Sequence, residues 1–478
     1  MTNYLYRFRG NVLEKHQELE NQEIFCSSLE TLNDPMEGFK DLFWSGDKIV
    51  WTNLLKHYLL CLDRACIQFM RSGDSAKIDL ASIPVFEIES DLPTQEYKEV
   101  FKQACNTFFG TPAVLDFIDA LEARKRPVRR DELCLNLRMA HYTALSAIFA
   151  AYRDRGGIPD TPGGSVLFDI CATLPVKPEI TRAVNEIEAR HPTIPDGTER
   201  LLAVVRSVQE QNDLIAKYNA PATAVGYNRS LLLNEFPGEY VRLIEKVVYS
   251  QWYTACFSVD GTNSSMWGNY ANGHRGVCLK FNTGDVKDEH VLSLHGVTGF
   301  HTRGFGPPEP NYGQVKYRLH KVTYQSTYPE IDFFRSLGRL RGIAVSWWYS
   351  DGHGNRSSCA QDVHGDEAQW RERYWAKFLQ GQTTKLEDWR YEGEYRLVFS
   401  ELISDLSDPK MRKLKYDFSD LHGIIFGIAT PEADKLAMIE IIRRKCEHEK
   451  RKQFEFCQAY YAKASGKIDV LPLSLIKV

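Results

Sequence analysis

The stretch NYLYRFRG, Asn3 to Gly10, alternates in the way a strand does when one face is apolar and the other polar. After it, VLEKHQELENQ (12–22) has helical charge spacing, EIFCSSL (23–29) is strand-like again, and NDPMEG (33–38) turns. Residues 1–45 therefore read as β-α-β, and two strands alone do not make an independently stable sheet. Partners are scarce nearby. From about 50 to 216 the long runs are amphipathic with helical period, as in WTNLLKHYLLCLDRACIQFM, YKEVFKQACNTFFG, LCLNLRMAHYTALSAIFAAYRDR and LLAVVRSVQEQNDLIAKY. Strand patterns return only after about 248, in SQWYTACFSV, RGVCLKFN, KVTYQ, EYRLVFSEL and LHGIIFGI. The expected fold class is thus α+β. A mixed β-sheet core would be made from residues 1–45 and 248–478, with 46–247 as a large, mostly α-helical insertion.

Punctuation supports this division. GGIPDTPGG (156–164) cannot continue a helix and reads as a linker or surface loop; 300–313 (FHTRGFGPPEPNYG) and 351–367 (DGHGNRSSCAQDVHGDE) read as long loops. Near the C-terminus, Thr430 is placed as an N-cap with Pro431 at the first helical position.

The chain has 478 residues, 43% hydrophobic and 26% charged, with a net charge of −4, which describes a folded protein without a global basic footprint for nucleic acid. No apolar segment approaches a signal sequence or a membrane span, so no membrane partner and a cytoplasmic location are expected. The 11 cysteines form no CxxC pair, so neither a disulfide framework nor a zinc ribbon is encoded. His353, Cys359, His364 and Asp366 are metal-ligand types in no recognised spacing, and no metal is expected. The basic runs RKRPVRR (124–130) and RRKCEHEKRK (443–452) read as solvated helix faces.

Two stretches carry chemistry. WRYEGEYRLVF (389–399) places Glu392 and Glu394 two apart at the entry of a strand, which points both carboxylates to one face. Either they pair with Arg396 or another base, or one of them stabilises positive charge on a substrate. SMWGNYANGHRGVCLKF (265–281) puts Met266, Trp267, Tyr270 and His274 along one helical face that ends at Gly276. They either pack as core, or Tyr270, His274 and Arg275 project into a cleft where an aromatic ring stacks on a base or nicotinamide.

Three stretches together resemble the uncharacterised, mostly bacterial family known as domain of unknown function 2971. They are LYRFR with IFCSSLETLNDPMEG, then ACFSVDGTNSSMWGNYANGHRGVCLKF, then KLEDWRYEGEYRLVF followed by LHGIIFGIAT. The resemblance covers roughly 1–45 and 248–445 and leaves the helical insertion unexplained. Membership implies no chemistry.

The order strand-Arg, strand-Ser-Ser, late Glu-x-Glu is also similar to the Arg-Ser-Glu arrangement of mono-ADP-ribosyltransferases. That resemblance implies an ADP-ribosyltransferase-like core acting on NAD. Arg7 or Arg9 would hold its phosphates, Ser27 and Ser28 would support the site, and Tyr270 and Arg275 would complete the cofactor pocket. Glu394 would assist cleavage of the nicotinamide bond and Glu392 would serve transfer to an acceptor, while His274 joins the catalytic candidates from the cleft reading of 265–281. SSL stands here in place of the usual Ser-Thr-Ser. The company such folds keep implies a bacterial toxin or antiphage defence effector, as a transferase or an NAD glycohydrolase. The ADP-ribose acceptor, protein or nucleic acid, is not encoded in any motif. The rival expectation is a non-catalytic module whose helical insertion recognises a protein or nucleic acid, with room for a regulatory protein partner. A metal-dependent nuclease would need clustered acids or histidines that the sequence does not offer.

Overall fold

The computed structural model describes residues 4–14, 17–73, 75–156, 175–190, 197–219, 227–284, 289–302, 309–400 and 406–477. They form two compact units, one of Met1–Lys40, Ser250–Pro329 and Lys377–Val478, the other of Asp41–Tyr249 and Glu330–Ala376. The protein is α+β. Residues 330–376, expected with the sheet domain, belong by contact to the helical unit; apolar periodicity marks a helix but not which core it joins.

The first unit is built on one mixed sheet of 12 strands. Along it run β17 (Lys467–Pro472), β16 (Glu455–Ala462), β15 (Leu421–Phe426), β7 (Val277–Asn282), β1 (Tyr4–Arg9) and β6 (Trp252–Ser258). Then come β13 (Glu394–Ser400), β9 (Glu309–Lys321), β8 (His290–His301), β14 (Lys413–Tyr416) and β2 (Glu23–Phe25), while β3 (Ser27–Ser28) pairs with β6 off this path. β15 and β16 are parallel, and the central strands β7, β1, β6 and β13 are antiparallel neighbours. The N-terminal strand thus lies between β6 and β7, in a sheet it shares with β13. A short parallel pair, β10 (Thr323–Gln325) and β12 (Thr384–Leu386), accompanies the sheet.

Alternation along these strands sorts side chains by face. Leu5, Tyr253, Ala255, Phe257, Leu279, Phe281 and Leu397 enter one apolar core, closed by Met438, Ile442 and Cys446 of the helix Glu432–Glu449. On the opposite face Phe8, Cys278 and Ile425 pack with Met266 and Trp267 of the helix Ser264–Tyr270.

The second unit is mainly helical, with Lys48–Ser72, Gln95–Phe109, Pro112–Glu122, Arg130–Asp154, Pro178–Arg190, Gly197–Asn219 and Phe236–Ile244. It also has a small sheet of β11 (Glu330–Asp332), β4 (Asp41–Trp44) and β5 (Val128–Arg129). The RKRPVRR run is consumed internally. Arg124 and Arg126 bridge Glu132 and Glu188, Arg129 meets Asp41 and Glu330, and Arg130 meets Glu245.

Local expectations are corrected at four places. Residues 300–301 and 309–313 extend the β8–β9 hairpin rather than forming loop, because cross-strand pairing continues through Phe300 and Pro310. Within 351–367, Cys359–His364 is a helix that buries Cys359. The C-terminal helix begins at Glu432, and the Thr430 hydroxyl donates to the Gly276 carbonyl (2.7 Å) instead of capping. The helix of residues 12–22 is a single turn, Glu18–Asn21. Of the 156–164 linker, 157–164 lie outside the described residues. No helix among the described residues is long and apolar enough to cross a membrane.

Candidate functional site

Glu394 opens β13 opposite Ser258 of β6, and Ser258 in turn faces Tyr6 of β1. Paired residues in neighbouring strands point to the same side, so Tyr6, Ser258 and Glu394 share a face, joined two residues on by Arg396 and its partner Cys256. Glu392 is not in the strand. It ends the 3-10 helix Glu387–Glu392, and Gly393, with φ of 52°, reverses the chain locally before β13 starts. Only a residue without a Cβ adopts this left-handed geometry at little cost. That one step brings the two carboxylates to a common cation.

The cation is Lys385 of β12. Its Nζ lies 2.6 Å from Glu392 Oε2, 3.0 Å from Glu394 Oε2 and 3.6 Å from Glu37 Oε2. Arg396, with no exposed side-chain surface, donates through Nε to Glu394 Oε1 (2.8 Å) and through Nη2 to Glu394 Oε2 (3.2 Å). Its Nη1 reaches Glu37 Oε1 (2.5 Å) and the Gln382 carbonyl (2.5 Å). Tyr270 donates to Glu392 Oε1 at 2.5 Å, Ser258 donates to the Glu392 carbonyl at 2.7 Å, and the Tyr324 hydroxyl accepts the Glu394 N–H at 2.9 Å. Three carboxylates and two cations form one buried network, all from the sheet unit.

Electrostatics separate the acids. Burial raises the carboxyl of Glu392, and Lys385 offsets this only in part, so it stays above its ordinary value. Burial raises Glu37 likewise, against Arg396 and Lys385. For Glu394 burial acts in the same direction but the Arg396 and Lys385 charges outweigh it, and the carboxyl falls to about 2. Burial raises the Cys256 thiol well above the usual range, and the neighbouring Glu394 charge and hydrogen bond add to this.

The remaining residues singled out from the sequence are distributed as follows. Arg7 and Arg9 alternate with Tyr6 and so lie on the opposite face from Glu394. Arg7 is buried in the apolar core, over the Phe257 ring and bonded to the Phe25 carbonyl (3.0 Å); Arg9 pairs with the buried Glu18. Ser27 pairs with Thr254 and Ser28 with Tyr253, so only Ser27 faces the carboxylate side. His274 lies beyond the helix, at φ of 66°, stacked on Trp267 (6.3 Å between centroids) with Nδ1 buried and unpartnered. Arg275 is exposed. The structure therefore brings together Glu392, Glu394 and Tyr270, and does not bring Arg7 or Arg9 to them. Glu37 and Lys385 were not singled out. Glu37 stood in the NDPMEG turn, where its position in the motif was the available signal, and Lys385 in TTKL offered none.

Residues 266–397 match the sequence model of a family described as "Protein of unknown function (DUF2971)". The matched stretch contains Tyr270, Lys385, Glu392, Glu394 and Arg396, and leaves out the N-terminal strand and Glu37. No curated protein and no solved structure matches the chain.

Proposed function

We propose that the Glu392–Glu394 face is the reaction site of an NAD-using enzyme of ADP-ribosyltransferase-like type, or of an NAD glycohydrolase. One observation carries the reading: two carboxylates meet at a single ammonium, 2.6 and 3.0 Å from Lys385 Nζ, with the Tyr270 phenol on the first. Two acids whose environments push them apart suit cleavage of an N-glycosidic bond. The ionised Glu394 stabilises positive charge developing on the ribose. The bond from the ribose anomeric carbon to nicotinamide breaks, and its electron pair leaves with neutral nicotinamide. Water or an acceptor nucleophile then bonds to that carbon and loses its proton to Glu392. Arg7 and Arg9 take no part from their side of the sheet.

The test is nicotinamide release from NAD by the purified protein, followed chromatographically. Wild type releases nicotinamide, Glu394→Gln lowers the rate by roughly 10²–10³-fold, and Glu392→Gln lowers transfer to an acceptor more than it lowers release. Absence of release from the wild type overturns the reading. A second reading, a non-catalytic recognition module, is favoured by the internal pairing of the same network, in which Arg396 and Lys385 already hold both acids. Under it none of the three proteins releases nicotinamide and the variants differ in stability alone.

A further inference from the structure

The helical unit contains a cavity of 320 Å³ lined by Ile67, Met70, Arg71, Glu96, Tyr97, Val100, Tyr152 and Arg155. It lies where the helices Lys48–Ser72 and Arg130–Asp154 end and Gln95–Phe109 begins. Its volume falls within the range of small-molecule sites. Ile67 and Val100 are buried and give it apolar walls together with Met70. Arg71, Glu96, Tyr97, Tyr152 and Arg155 are its polar lining. Arg71 is exposed in the last turn of its helix and donates through Nη2 to the Tyr97 hydroxyl at 2.8 Å. Arg155 follows the end of its helix and meets Glu99 at 3.2 Å in an exposed pair of the kind that is easily exchanged. Each guanidinium keeps further N–H donors beyond these bonds. The first turn of Gln95–Phe109 adds the positive end of a helix of 15 residues beside them.

From this arrangement we infer that the cavity binds a small amphipathic monocarboxylate, its apolar body against Ile67, Met70 and Val100 and its carboxylate between Arg71 and Arg155. The two arginines face Glu96 and, through Arg155, Glu99, so no more than one negative charge is accommodated once a ligand displaces Glu99, and the negative C-terminal ends of two helices disfavour a dianion. A planar guanidinium fork matches a carboxylate. Nothing in this site depends on the chemistry assigned to Glu392 and Glu394.

The probe is octanoate, titrated calorimetrically into the full chain, with octanol as its uncharged counterpart. Wild type binds octanoate more tightly than octanol. Arg71→Gln and Arg155→Gln, both at exposed positions, each weaken octanoate about tenfold, as expected for loss of one charge-assisted contact, and leave octanol unchanged. Val100→Phe, filling the cavity, abolishes binding of both while helical circular dichroism is retained. No heat from octanoate with wild type overturns the proposal. So does equal affinity for octanoate and octanol, or unchanged octanoate affinity in both arginine variants.

Discussion

Arg7 and Glu394 stand on opposite faces of one sheet, although a single strand, β6, separates theirs. Tyr6 and Glu394 both pair with Ser258, so the residue next to Tyr6 has to point the other way. The guanidinium of Arg7 is consequently a core group, bonded to Phe25 and lying over Phe257. Arg7→Met is expected to lower the melting temperature and to leave the NAD dissociation constant unchanged. Calorimetric titration with NAD and thermal denaturation on the same sample check this; a large loss of NAD affinity in a protein of unchanged stability would contradict it.

Arg396 is the cation the network spares least. It pairs with both Glu37 and Glu394, as Lys385 also does, and it is entirely buried. Arg396→Met leaves two buried carboxylates with fewer partners and should destabilise by roughly 3–5 kcal/mol. Combining it with Glu394→Gln should cost less than the sum of the two single changes, by roughly 1–3 kcal/mol. Urea denaturation of the four proteins measures both numbers, and additivity would mean the contact carries no coupling.

Acid should act on the same network. The folded-state carboxyl of Glu394 at about 2 lies below its ordinary value, so its contribution is fully present above about pH 4.5 and is lost as pH falls toward 2. The amount is roughly 3 kcal/mol. Glu392 and Glu37 are raised, so their contributions have the opposite sign and fade as pH rises through their folded-state values. The acid limb of a stability profile should therefore be shallower in Glu394→Gln than in wild type between pH 4.5 and 2. An unchanged limb would assign acid sensitivity to other groups.

Asp63, in the helical unit, predicts a dependence in the other direction. Burial raises its carboxyl to about 7, and its Oδ1 has no hydrogen-bond partner. Its contribution is full below about pH 4 and disappears as pH rises through 7, where the folded protein must hold a buried charge. Asp63→Asn keeps the shape without the charge. It should raise the melting temperature at pH 8, by the equivalent of up to roughly 4 kcal/mol, and change it little at pH 4. A drop at pH 8 would show that the charge is compensated.

Gly393 sets the distance between the two acids. A Cβ there would meet Val259 Cγ2 at 2.9 Å, in a left-handed backbone. Gly393→Ala should cost roughly 1–2 kcal/mol and move Glu392 away from Lys385. Lower stability together with a changed Lys385 ammonium signal in NMR would report both effects, and a neutral substitution would show that the turn tolerates a side chain.

Much of the sheet was legible because period-two alternation survives in YLYRF, VCLKF and EYRLVF. The loop reading of 300–301 and 309–313 misled, since strand pairing is a property of two strands and not of the residue types in one; 303–308 lie outside the described residues. At the site, Glu392 and Glu394 were read as two residues of one strand face, whereas Glu392 lies before the strand and meets Lys385 by way of the left-handed Gly393. Arg396 could be named as a partner because it sits two residues from Glu394. Lys385 and Glu37 could not, because a lone base or acid has no periodicity and meets its partners only through tertiary contacts. The face occupied by Arg7 relative to Glu394 was likewise hidden, because it depends on the register of both strands against β6.

The neighbours of β1 also set a timetable. β1 ends at Arg9, whereas its partners β6 and β7 begin at Trp252 and Val277, with the helical unit's longest helices encoded between. At roughly 5–20 residues per second, tens of seconds separate the emergence of the first strand from the ribosome and that of anything it can pair with. During that interval its backbone donors and acceptors are unmatched and its Leu5 and Phe8 side chains are uncovered. The centre of the sheet is therefore completed only after the helical unit between its strands has been made, and the N-terminal segment is the one most in need of protection while the chain is being made.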